Sequence, residues 1–201
     1  MGKKIVDAYK LDVLKELANI GMGHAVTALA QMLGEEKIFM DVPVATLAPL
    51  QDVPELLGGA ELPVAGVFIA ADGDIQLKIL FVLPLDSALN LTALLLPGGW
   101  EDAEELKLSA LLEVGNILTS SYLTALSLMT GLILLPSPPA IAMDMSAAII
   151  STVMAAAHIQ DDELVLMQTT LSSQEKRITG QILMLPDRGA LNKIFSLLGI
   201  R

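Results

Sequence analysis

The sequence predicts an α+β fold made of two internally duplicated helix–strand–hairpin–helix units, fused about a pseudo-two-fold axis. Three observations carry this. A polar triplet occurs twice, as Asp12-x3-Glu16-x2-Asn19 and Ser109-x3-Glu113-x2-Asn116, 97 positions apart (113 − 16). Each copy is followed by two strand-like apolar runs joined by a turn. The closing segments also repeat: Leu83-Pro84 answers Leu185-Pro186, and Ala88-Leu89-Asn90 answers Ala190-Leu191-Asn192, now 102 positions apart (185 − 83). The repeats run over about 11–99 and 101–201 of a single domain. With about three strands each, neither half is expected to stand alone. The sheets should join, with the two motif helices side by side and both polar stripes on one exposed surface.

In chain order, residues 11–33 read as a long helix ended by Gly34. Ile38, Met40 and Val42 alternate with polar or small residues, suggesting a strand with Pro43 at its end or edge. The stretch 49–59 reads as loop. Runs 64–71 and 75–83 form a hairpin through Asp72-Gly73-Asp74, and 87–96 is a short helix stopped by Pro97-Gly98-Gly99. In the second half, Glu101, Asp102, Glu104 and Glu105 gather where negative charge suits a helix start. That helix ends at Gly131. Residues 140–143 follow as a strand, 163–171 and 177–185 as a hairpin turning through 172–175, and 187–198 as the closing helix. About five residues (102 − 97) are gained in between. They are assigned to 144–157, a segment with no evident counterpart in the first half.

Composition narrows the function. At 201 residues, 53% hydrophobic and 17% charged, the chain can bury a sizeable core and is not disordered. A mean hydropathy of +0.62 raises the membrane question. The most apolar stretches answer it: 79–96 contains Pro84 and Asp86, and 145–157 is too short to span. The opening residues contain no apolar signal core, and Val6 stands where a myristoylation signal needs Ser or Thr. The expectation is a cytoplasmic protein without membrane insertion. A net charge of −11 excludes nucleic acid as the main partner. Cysteine is absent, so there is no thiol chemistry. His24 and His158 show no metal-ligand spacing and read as ordinary surface or interface side chains. Gly21-Met22-Gly23 lacks the third glycine and the preceding strand of a dinucleotide fingerprint.

The chemistry therefore rests on the doubled triplet. Spacing i, i+4, i+7 aligns its side chains on one helix face. A merely solvated face would explain one copy but would be free to drift in the second. Asn is also a mediocre helix former, so each mid-helix copy costs a few tenths of a kcal/mol. Glu offers an anion that can dock a Lys or Arg of a partner. The Asn amide can hold a water in a chosen orientation without titrating, a device used in phosphoryl hydrolysis. The pair suits a protein that reaches into another protein's active site and positions water there.

At these residues the chain resembles the CheC/CheX/FliY family of chemotaxis phosphatases, nearest its CheC branch. The family signature is D/S-x3-E-x2-N followed about 22 residues later by Pro. Ser109, Glu113, Asn116 and Pro139 fit it fully, while the first copy has one residue more before Pro43. The resemblance implies hydrolysis of the aspartyl phosphate of a CheY-like response regulator. Glu16 and Glu113 would contact the regulator's active-site lysine, and Asn19 and Asn116 would orient the attacking water. Asp12 and Ser109 would support the stripe. No cofactor of this chain is implied; Mg²⁺ belongs to the partner receiver domain. A second implied partner is the receptor deamidase CheD, held through the region 140–157 with Asp144 as a contact. The alternatives are an adaptor that sequesters CheD with weak or no phosphatase activity, and a relative of the flagellar-motor switch.

Overall fold

The computed structural model describes residues 8–32, 39–41, 44–96, 103–157, 163–172, 177–187 and 189–200. Gly34, Ile38, Val42, Pro43, the Pro97-Gly98-Gly99 stop, Glu101, Asp102, His158 and the turn residues 173–175 lie outside them.

The first motif helix is α1 (Ala8–Met32), and its buried residues Leu14, Leu17, Ala18, Gly21, Met22, Ala25 and Leu29 recur at steps of three and four. The strands of the first half are β1 (Phe39–Met40), β2 (Val44–Pro49), β3 (Pro63–Gly73) and β4 (Leu77–Pro84). Between β2 and β3 come a 3-10 turn (Leu50–Asp52) and α2 (Val53–Leu56); α3 (Leu85–Leu95) follows β4. The second half repeats the order with α4 (Glu104–Thr130), β5 (Leu134–Pro136), β6 (Ala140–Met145), α5 (Ser146–Ala157), β7 (Glu163–Ser172), β8 (Arg177–Pro186) and α6 (Ala190–Leu197). Helix α4 ends where predicted. Gly131 adopts φ 72° and its N–H bonds to the Ser127 carbonyl at 2.8 Å, a left-handed cap that glycine takes without strain.

Among the described residues the strands form one antiparallel sheet in the order β1-β7-β8-β4-β3-β5, with β2 also on β7 and β6 also on β3. Each motif helix thus sends its following strands to the other half's hairpin, and this exchange is what fuses the halves. The dyad can be located from the register. In the β4–β8 pair Leu80 faces Leu183 and Phe81 faces Ile182. An axis normal to the sheet keeps each side chain on its own face and runs through the midpoint of such a facing pair. The 102-residue sequence offset (185 − 83) would carry Leu80 to Ile182, in the core on the other face, so along these strands the structural correspondence is displaced from it by one residue.

Side chains of the central strands alternate between two cores. Ile79, Phe81, Ile182 and Met184 join α1, α3, α4 and α6 on one face. Leu80, Val82, Leu183 and Leu185 join α2 and α5 on the other. Both motif helices lie on the same face, so the dyad runs normal to the sheet and the helices pack against each other in opposite directions. Each fully buried Leu or Ile here contributes about 1.5–3 kcal/mol of burial.

Three expectations need correction. The stretch 49–59 is not loop throughout; a single helical turn containing Pro54 is too short to show periodicity. The strand expected around Ile38–Val42 is only β1 in its described part, and β2 was missed. The segment 144–157 is not without counterpart. Asp144 is the last residue but one of β6, the partner of β3 as β2 is of β7, and α5 occupies the place of α2. What is extra is the length of α5, twelve residues against four.

Candidate functional site

On α1 the buried residues centre on one side, and Asp12, Glu16 and Asn19 lie about 140° round the helix from them at 100° per residue. Asp12 and Glu16 are exposed and Asn19 is half-buried. The same holds on α4 for Ser109, Glu113 and Asn116, opposite Leu111, Val114, Leu118 and Tyr122. None of the six points into the core. Because the dyad is normal to the sheet, both stripes stay on the outer side of the helical layer.

Close helix packing holds this layer in place. A Cβ added at Gly21 would stand 2.9 Å from the Tyr122 Cα, so α1 and α4 meet backbone to backbone at that point. A Cβ at Gly115 would stand 2.6 Å from Val67 Cγ1, which seats α4 directly on β3. The repeat breaks here: Ala18 answers Gly115 and Leu118 answers Gly21. The two stripes are therefore mounted by different contacts.

The two amides also differ. Asn19 Nδ2 donates to Glu16 Oε2 at 3.4 Å, a long bond on an exposed surface. Asn116 Oδ1 instead accepts from Ser120 Oγ at 3.3 Å. Position 120 corresponds to Gly23, which has no side chain to offer. In the first copy the amide and carboxylate hold each other; in the second, Glu113 is left exposed and the hydroxyl holds the amide. Ser109 Oγ donates to the Glu105 carbonyl at 2.9 Å, turned back onto its own helix rather than outward.

The remaining candidates stand elsewhere. His24 is exposed on α1 but off the stripe. Asp144 is exposed on the edge strand β6, where its Oδ1 accepts the Met145 N–H at 2.7 Å. Among the described residues no helix is long and apolar enough to cross a membrane, and no three His, Asp or Glu side chains cluster as a metal site. Two exposed apolar residues went unread in the sequence. Tyr9 and Leu106 are 65% and 37% exposed and stand three residues before Asp12 and Ser109. The signal was available, since the stripe spacing extends one step towards each helix N-terminus.

Comparison with known proteins agrees with this layout. The model of the CheC-like family matches residues 10–47 and 106–143, which correspond to the two units α1 to β2 and α4 to β6. CheY-P phosphatase CheC of Bacillus subtilis (strain 168) is 36% identical over 197 residues, 94% of each chain. FliY of Thermotoga maritima superposes with a TM-score of 0.78 at 18% identity, covering 97% of this chain and 98% of that one. CheX in the CheX–CheY–BeF3–Mg²⁺ complex from Borrelia burgdorferi superposes at 0.54 with 19% identity, covering 85% and 97%. These two likenesses show a shared fold. The doubled motif, the family match and the relative that spans nearly the whole chain together establish that this chain belongs to the CheC-like family.

Proposed function

We propose that this protein is a phosphatase of the aspartyl phosphate on a CheY-like receiver domain. One observation carries the reading: the Glu–Asn pair is presented twice, outward, on two helices packed across a pseudo-dyad. The relative named a CheY-P phosphatase, 36% identical over 94% of the chain, supports it.

In this reading a helix layer docks over the receiver's phosphorylated site. Glu16 or Glu113 pairs with a lysine there, a charge-assisted contact. Asn19 or Asn116 accepts a hydrogen bond from a water through Oδ1 and aligns its oxygen with phosphorus. The water oxygen bonds to phosphorus as the bond to the aspartyl oxygen breaks. The aspartate leaves as a carboxylate, and the water protons pass to phosphate and solvent. Mg²⁺ is the receiver's own and would balance the developing charge. This chain contributes position rather than a covalent intermediate. Asp12 and Ser109 support the stripe, and the reaction belongs in the cytoplasm.

CheD is proposed as a second partner, through the opposite region of the fold. The support is edge strand β6, which exposes Asp144 between Met143 and Met145. An adaptor that binds CheD without hydrolysing phosphate would keep this surface and need no Asn pair. Decay of a phosphorylated receiver domain with and without the protein separates the two. Acceleration at substoichiometric protein supports the phosphatase; unchanged decay at stoichiometric protein supports the adaptor.

A further inference from the structure

Each stripe begins with an exposed apolar side chain. Tyr9, Asp12, Glu16 and Asn19 follow steps of three, four and three, and so do Leu106, Ser109, Glu113 and Asn116. Such spacing keeps all four on one face of a helix. Tyr9 is 65% exposed and Leu106 is 37% exposed, although both belong to helices whose opposite side is firmly buried. Scattered exposed hydrophobics are ordinary. A pair at matched positions of a duplicated helix, in line with the polar stripe, is not scattered.

We infer that Tyr9 and Leu106 are the apolar anchors of the receiver-docking surface, each seating the partner so that the neighbouring Asn enters its phosphoryl site. The inference rests on the phosphatase reading. Helix rise fixes the scale: Tyr9 lies about 10 Å from Glu16 and about 15 Å from Asn19 along the axis. A folded partner covers about 800 Å² on each side of a stable interface, a patch roughly 30 Å across. A receiver centred over Asn19 therefore also covers Tyr9. Interfaces draw most of their affinity from a few buried apolar or aromatic side chains, with the charged contacts setting orientation. The stripe alone supplies orientation; Tyr9 and Leu106 supply the part that excludes water. Tyr against Leu also makes the two docking sites unequal in size and polarity.

The test uses the full chain and a beryllofluoride-activated receiver domain with Mg²⁺, titrated at two salt concentrations. Tyr9→Ser with Leu106→Ser should raise Kd about ten-fold or more, the loss typical of an interface anchor. The fall in affinity with salt should stay as in the wild type, since no charge was removed. Tyr9→Phe with Leu106→Met should restore the affinity. In turnover, the Ser pair should raise the receiver concentration needed for half-maximal acceleration. Leu56→Ser, exposed on α2 across the sheet, serves as the control and should match the wild type. An unchanged Kd, or a lower maximal rate at unchanged half-saturation, overturns the anchor role while leaving the phosphatase reading intact. Loss of a wild-type dimer in the Ser pair on sedimentation overturns it too, in favour of a self-association surface. Failure of the wild type itself to bind the activated receiver overturns both.

Discussion

Gly21 of α1 lies against the backbone of Tyr122 in α4, so close that a Cβ would stand 2.9 Å from the Tyr122 Cα. No rotamer relieves a contact made by a Cβ with backbone. Gly21→Ala should therefore destabilise the protein by about 1–3 kcal/mol, as overpacking does. Gly23 is two residues away on the same helix and open space surrounds it. Gly23→Ala should instead stabilise by about 0.5–1 kcal/mol through helix propensity. Urea midpoints of the two variants check this, and shifts in the same direction would contradict the helix contact.

Tyr122 gives a pH dependence. Its hydroxyl is buried and donates to the Met184 sulfur at 3.5 Å, and burial pushes its pKa up from the ordinary 10.0. The unfolded phenol loses its proton near pH 10 while the folded one keeps it. Above that pH the unfolded state binds fewer protons, so stability is full below pH 10 and falls as pH rises. Tyr122→Phe should lack this part of the alkaline fall. At pH 7 it should differ from wild type by less than about 1 kcal/mol, because an O–H to sulfur contact is weak. Urea unfolding at pH 7 and pH 11 measures both.

The second site's amide depends on Ser120, whose hydroxyl donates to Asn116 Oδ1 at 3.3 Å. With the first site removed by Asn19→Ala, adding Ser120→Ala should lower the rate at saturating receiver about three- to ten-fold. That corresponds to about 0.7–1.4 kcal/mol of lost positioning. Equal rates with and without the hydroxyl would leave Ser120 out of the site.

The long helices and both hairpins were legible because their signals are local: apolar residues at three and four in α1, and Asp72-Gly73-Asp74 between two apolar runs. The doubled stripe was legible because duplication tests each residue twice. The exchange of β2 and β6 between halves was not. Which strand β2 joins is decided by Thr46 facing Leu166, a pairing across more than half the chain. Segment 144–157 looked unmatched since its counterpart α2 has four residues and α5 has twelve. Tyr9 was passed over because the first helix was read only from residue 11, and Leu106 because the stripe was traced through its polar positions alone.

Asp144 separates the two proposed partners in space. It sits on the edge strand β6, away from the stripes on α1 and α4. Asp144→Lys should weaken CheD binding at least ten-fold in a pull-down titration while dephosphorylation of the receiver proceeds as in wild type. Equal loss of both would mean the strand supports the fold and contacts neither partner alone.

The claim at the centre is that Asn orients water and does not hold the partner. Glu16→Ala with Glu113→Ala should weaken receiver binding by about 1–3 kcal/mol, as expected for a lost charge-assisted contact. Asn19→Ala with Asn116→Ala should behave differently, because an interaction made only in the transition state affects turnover and not binding. The deciding measurement is the decay of phosphorylated receiver in the presence of this Asn pair variant, paired with its Kd for the beryllofluoride-activated receiver. The account predicts decay at the receiver's own rate with Kd within about two-fold of wild type. Wild-type acceleration by the variant would remove the Asn pair from the mechanism and contradict the account.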